Sequence, residues 1–242
     1  MSTASSRTSF TLMSILALLM FGALCWLGNW QVERLAWKEQ KLADIARETA
    51  QPFQAVETFF SAPIGTDYWP VRVTGTFRHQ SERHFFATND GQSGFFVYTP
   101  LETTPNNFVF INRGFVPYDN KDAATRPAGQ IPEPVTITGL ARATLTEKPS
   151  SSVPDNDPVK NIFYWKDIVA MTASAGLPAG ATVQQVFVDA DKTPNPGGLP
   201  IGGVTIIDLP NNHLQYAVTW YGCAGALLVI WSILAWRQRK AP

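Results

Sequence analysis

The chain has 242 residues, with 19 basic and 19 acidic side chains, so it carries no net charge that would draw it to nucleic acid or steer it to an anionic surface. Both of its cysteines, Cys25 and Cys223, lie inside apolar runs, which excludes a disulfide framework for the polar middle of the chain. Hydropathy averages near zero because apolar residues crowd both ends while the centre is polar, β-rich in composition and studded with proline.

Residues 10–27 are free of charge and rich in Leu, Met, Ala and Phe. At about 1.5 Å per residue such a run crosses the roughly 30 Å hydrocarbon layer, so a first transmembrane helix is expected over 10–30 after a tail at 1–9. Trp26 and Trp30 sit near its end, where amphipathic indoles prefer the headgroup zone. The run is longer than a signal-peptide core, only Arg7 precedes it, and no small-x-small cleavage site follows, so an uncleaved anchor is expected. Val32, Leu35, Leu42 and Ile45 then recur among charged residues, the pattern of an amphipathic helix continuing outward until Pro52 ends it.

From Tyr68 the period changes to two, with Val71, Val73 and Phe77 alternating with polar neighbours. Further strands are expected at 84–88, 95–101, 107–112, 135–143 and 182–189, separated by Gly, Pro, Asn and Asp turns. A helix is expected from 165 or 166 to about 175, and mobile loops over 117–134 and 146–158. Short strands with few helices argue for an antiparallel barrel or sandwich over 31–212, led by the amphipathic helix.

A second transmembrane helix is expected over 213–236, followed at once by Arg237, Arg239 and Lys240 in a tail at 237–242. The nearest basic residue before it is Lys192, so the positive-inside rule makes the carboxyl tail cytoplasmic. The expected fold is thus a membrane α-helical hairpin of two transmembrane helices flanking an antiparallel β-rich periplasmic domain. Both tails then lie in the cytoplasm of a cell whose inner membrane the hairpin crosses.

At the start of the second span, His213, Tyr216, Ala217 and Trp220 fall at i, i+3, i+4 and i+7 on one helical stripe. An imidazole above a small residue and an indole suits a flat apolar cofactor with a metal at its centre, and neutral imidazole is an axial ligand of haem iron. The same residues suit an interfacial histidine that hydrogen-bonds headgroups or water, with aromatic neighbours that only pack. His79 and His84, five apart, have the spacing of a shared metal site but no third ligand nearby, and a solvated loop is the expectation. In the run Arg113, Gly114, Phe115, Val116, Pro117 a structural turn is favoured over a contact site. No nucleophile elbow, phosphate loop, zinc-protease helix or paired-cysteine motif is present, so no enzyme is expected.

Four segments in a fixed order are similar to the Surfeit-locus family of cytochrome c oxidase assembly factors. Leu27, Gly28, Trp30, Gln31, Arg34, Leu35, Trp37 and Lys38 resemble that family's signature at the exit of the first span. Residues 94–101, with Asn112 to Pro117 after them, resemble its central strand pair, Phe115 standing where Trp is more usual. Asn161, Phe163, Trp165, Asp167 and Met171 look like its aromatic strand-to-helix segment. Asn211, Asn212, His213, Leu214, Tyr216, Ala217, Thr219, Trp220 and Tyr221 match the approach to its second span, Tyr221 standing where Phe is common.

The resemblance implies a non-catalytic helper in the biogenesis of haem-copper oxidases in a bacterial inner membrane. It implies haem a as cofactor, His213 as the iron ligand, and Tyr216 and Trp220 as walls around the macrocycle. The implied partners are the cytochrome c oxidase large subunit, haem a synthase and membrane lipid, with no nucleic acid. A haem-free scaffold that steadies an assembly intermediate is the alternative within the same family.

Overall fold

The computed structural model describes residues 2–56, 67–205 and 211–240, with side chains described from Ser9 onward. Met1, Ala241 and Pro242 of the expected tails lie outside the described residues. In chain order the elements are α1 (Ser2–Thr49), β1 (Gln54–Ala55), β2 (Pro70–Phe77), β3 (Arg83–Asn89), β4 (Gln92–Thr104), β5 (Asn107–Pro117), β6 (Val135–Ala143), α2 (Ile168–Ser174), β7 (Thr182–Ala190) and α3 (His213–Lys240). They form two compact units, Met1–Asp44 with Asp208–Pro242, and Ile45–Ile207.

The first unit is a helical hairpin. No proline interrupts α1, so the apolar run and the amphipathic stretch behind it form one unbroken helix that stops just before Pro52. Along α1 the least exposed positions step by four and three through Phe10, Ser14, Ala17, Phe21, Leu24, Gly28, Gln31 and Leu35. Along α3 they step in the same way through His213, Ala217, Trp220, Ala224, Leu227 and Trp231. A mean step of three and a half residues keeps one stripe of each helix facing its neighbour along the whole length.

Among the described residues, side-chain hydrogen bonds cross this seam in antiparallel order. His213 Nδ1 meets Gln31 Oε1 at 2.7 Å, Tyr221 Oη donates to Asn29 Oδ1 at 2.5 Å, and Trp231 Nε1 donates to Ser14 Oγ at 3.0 Å. Away from the seam the hairpin is bare, with Leu18 70% and Val218 65% exposed. Both helices are long and apolar enough to cross a membrane.

The second unit is a β barrel. Strands β2, β6, β7, β5 and β4 follow one another in hydrogen-bonded order, and β2 pairs again with β4 at Thr76 with Glu102 and Phe77 with Leu101, which closes the ring. The 13-residue β4 makes this possible by serving two neighbours along one edge while β5 holds the other: residues 92–98 pair with β3 and residues 101–102 with β2. Closure removes the sheet edges that an open sandwich leaves exposed. Most pairings are antiparallel, as the sequence suggests, but β5 with β7 and β1 with β2 are parallel. The chain reaches β7 from β5 only after laying down β6 and α2, and that long crossover is what a parallel neighbour requires.

Alternation along the strands fills the barrel with Val71, Val73, Phe77, Leu101, Val109, Ile111, Ala141, Val186 and Val188. Burying each such side chain fully is worth roughly 1.5–3 kcal/mol relative to exposure. A second cluster lies under α2, where Ile168 and Met171 cover Tyr98, Phe110, Phe163 and Phe187. Strand β5 is therefore buried on both faces from Phe108 to Val116. The Asp167 carboxylate caps α2 by accepting from the Ala170 N–H at 2.9 Å, so this helix begins later than hydropathy suggests.

The stretch 117–134 is not the mobile loop that its composition suggests. It folds as three short 3₁₀ turns, Tyr118–Asn120, Ala123–Thr125 and Pro127–Gly129, and it buries Arg126 to 4% exposure. Near the end of the mostly exposed stretch 146–158, Asn156 Oδ1 accepts from the Tyr164 N–H at 2.8 Å.

Candidate functional site

The polar start of α3 is built by its own sequence. The Asn211 side chain accepts from the His213 N–H at 3.5 Å, and the Asn212 carbonyl accepts from the Tyr216 N–H at 3.2 Å, which begins the helical ladder. His213 is thereby held at the first helical position, half-buried on the seam.

Its imidazole donates Nδ1–H to Gln31 Oε1 across the hairpin. Gln31 is only 8% exposed, so its amide is fixed and in turn fixes the imidazole's tautomer and plane. The Nε2 lone pair is left without a partner among the described residues. An imidazole anchored through one nitrogen and open at the other is the arrangement of a metal-ligating histidine with its outer-shell support.

Of the stripe read from the sequence, His213, Ala217 and Trp220 share the seam, whereas Tyr216 is 53% exposed on an adjoining flank. The indole Nε1 of Trp220 is buried and has no hydrogen-bond partner among the described residues. Such an orphan donor is costly in an apolar setting and marks a place where a polar acceptor fits.

Sequence reasoning assigned no role to Gln31, which is 182 positions away from His213. A signal was available: Gln31 is an amide at a seam position one step beyond Gly28 in the four-three series. Gly28 itself permits close approach, since a Cβ there would lie 2.7 Å from the Tyr221 ring.

Of the two histidines expected in a solvated loop, His79 lies half-buried in the 3₁₀ turn between β2 and β3, whereas His84 is buried on β3, and their side chains have separate partners. His84 is 6% exposed, with Nε2 3.2 Å from Glu82 Oε1. Arg126 pairs with the same carboxylate oxygen. Burial alone would raise the Glu82 carboxyl, but the His84 hydrogen bond and the Arg126 guanidinium hold it below the usual carboxylate range.

His79 donates Nε2–H to the Ile131 carbonyl at 2.9 Å and accepts from Arg113 Nη1 at 3.3 Å. Its pKa is depressed, first by burial and then by the neighbouring Arg113 and Arg126 charges, against the opposing pull of the Ile131 carbonyl. No group of three or more His, Cys, Asp or Glu side chains suited to a metal ion occurs among the described residues.

Arg113 is 2% exposed, donates to the Gly129 carbonyl at 2.5 Å and to Asn195 Oδ1 at 3.2 Å, and lies over the Phe77 ring. Burial lowers its pKa to about 10. Beside it Gly114, at φ +122°, lets Phe115 and Ile201 exchange two 2.8 Å backbone hydrogen bonds, and a Cβ there would run into the Ile201 carbonyl. The Arg113 to Pro117 run is a structural clamp.

Residues 18–225 match the sequence profile of the SURF1 family, an interval that includes both Gln31 and His213. The chain is 33% identical to Surfeit locus protein 1 of Xenopus tropicalis over 95% of its own length and 78% of that protein's. It is 34% identical to Surfeit locus protein 1 of Homo sapiens, covering 85% of this chain and 71% of the relative. The SURF1-like protein of Monosiga brevicollis is 33% identical, over 86% of this chain and 82% of its own.

Proposed function

The chain belongs to the SURF1 family, and from that premise we propose that it assists assembly of cytochrome c oxidase by holding haem a at His213 for insertion into the large subunit. The observation that carries this reading is the 2.7 Å contact between His213 Nδ1 and Gln31 Oε1. Gln31 Oε1 accepts a hydrogen bond from the Nδ1–H and keeps the proton on that nitrogen, so the Nε2 lone pair is presented at a fixed angle. When bound, haem supplies an iron centre for which neutral imidazole is an axial ligand.

The donor set fits that group. Trp220 offers an indole wall and an unsatisfied Nε1–H on the seam, while Tyr216 offers an exposed ring one turn from His213. A single half-buried imidazole is a modest anchor, as handover requires. The role is one of binding and transfer rather than catalysis. Within it α1 crosses the inner membrane over 10–30 and α3 over 213–236, with the basic Arg237, Arg239 and Lys240 on the cytoplasmic side. The barrel on the periplasmic side is then free to meet the oxidase subunit and haem a synthase.

A second reading draws on the same contact. The Gln31 to His213 bond also clasps two helices, as a haem-free scaffold for an assembly intermediate needs. Absorption spectra of the detergent-purified chain, co-expressed with haem a synthesis enzymes, separate the two. The haem-binding reading expects a haem a spectrum that His213→Ala abolishes. A colourless wild type in a host proven to make haem a favours the scaffold, and colour that survives His213→Ala removes His213 as the ligand.

A further inference from the structure

Arg34 lies one helical turn beyond Gln31 on the same side of α1, about 4.5 Å further along the axis. Its guanidinium carbon sits 5.8 Å from the Trp30 ring and 5.6 Å from the Trp37 ring, with one indole a turn below and the other a turn above. Cation–π contacts of this kind orient a guanidinium while leaving its charge and its hydrogen-bonding edge available. Arg78, Arg126 and Arg142 each pair with a carboxylate, but no carboxylate pairs with Arg34 among the described residues. At the headgroup level the two indoles orient the guanidinium without neutralising its charge. Its hydrogen-bonding edge is available to an anion.

Its position says which anion. Arg34 stands two residues past the end of the charge-free run and four past the end of the expected span at residue 30, about 6 Å beyond the hydrocarbon, whereas Trp220 lies seven residues deeper than His213 along α3. The imidazole is level with Gln31, between the two. A flat macrocycle with an apolar side and carboxylates on one edge has its propionates towards Arg34 when its apolar side is towards Trp220. Resting on the haem reading of His213, we propose that Arg34, held by Trp30 and Trp37, recognises a propionate carboxylate of the haem. A guanidinium is well suited to this because it meets a carboxylate with two parallel N–H donors.

The test is a titration of this 242-residue chain, in detergent and in nanodiscs containing phosphatidylglycerol, with ferric haem a and with its dimethyl ester, in which both carboxylates are blocked. Wild type is expected to bind the ester about tenfold more weakly, the worth of one exposed charge-assisted contact. Arg34→Gln is expected to bind both forms equally, at the wild-type affinity for the ester, with the imidazole-ligated spectrum unchanged. Arg34→Lys should recover part of the discrimination. Undiminished discrimination in Arg34→Gln, or none in wild type, overturns the assignment. Discrimination in detergent that disappears in anionic nanodiscs also overturns it, by giving Arg34 to lipid phosphate. His213→Ala tests the underlying reading separately: it must remove the ligated spectrum with either form, whatever Arg34 does.

Discussion

The hairpin and the barrel treat polar groups in opposite ways. In the barrel, polar side chains are concentrated and shared: Glu82 serves His84 and Arg126, while Arg113 joins His79, Gly129 and Asn195. In the hairpin they are spread out, with single contacts at Ser14, Asn29 and Gln31 along an apolar seam. A closed barrel excludes water, so each buried charge needs several partners to offset its desolvation. Two helices bare on their outer faces bury little, and one side-chain bond per level is enough to set register. Polar clusters in the barrel therefore hold structure, while an isolated polar contact in the hairpin is free to carry function.

Substitutions can break this contrast. Glu82→Ala leaves the buried Arg126 uncompensated and is expected to cost the barrel about 3–5 kcal/mol, read as a lower denaturant midpoint. Gly114→Ala should cost about 2–3 kcal/mol, because alanine is strained at a positive φ and its Cβ meets the Ile201 carbonyl. Refolding yield and midpoint both report it, and an unchanged midpoint would mean that the Ile201 segment gives way. On the haem-binding proposal, Gln31→Leu should weaken haem a binding about tenfold without moving the barrel's midpoint, since it removes only the support of His213. Loss of stability in place of affinity would make the Gln31 to His213 bond a clasp and end the contrast.

The smallest effect is one of pH. His79 is kept neutral by burial and by Arg113 and Arg126, so its folded pKa lies below the ordinary 6.5. The unfolded chain takes up the proton first as pH falls. The contribution is therefore complete above about pH 6.5 and is lost as pH drops through the folded value. His79 is only half-buried, so solvent screening keeps the loss under about 1 kcal/mol. The fall in unfolding free energy between pH 7.5 and 5.5 should be smaller in His79→Gln than in wild type.

Much of this was legible in the residues. The two charge-free runs, the change of period at Tyr68, the strand positions and the Asn-Asn-His approach to α3 are local patterns, and local patterns survive in a linear reading. His213 was singled out because an imidazole at the lip of an apolar helix is conspicuous whatever it touches. Gln31 falls in the run that resembles the family signature, but an amide by itself gives no role. A short polar run between strands reads as a loop, which fits the turn at His79 but not the buried His84 on β3.

The sequence by itself determined that two apolar helices enclose a β-rich centre, and it placed one imidazole at the start of the second helix. Only the tertiary structure decided that β4 pairs with both β3 and β2 to close a barrel, that β5 and β7 run parallel, and that Gln31 anchors His213. The reason is physical. Period and composition report how each residue divides between water and an apolar surface, whereas pairing between residues far apart is fixed by closure and packing of the whole chain.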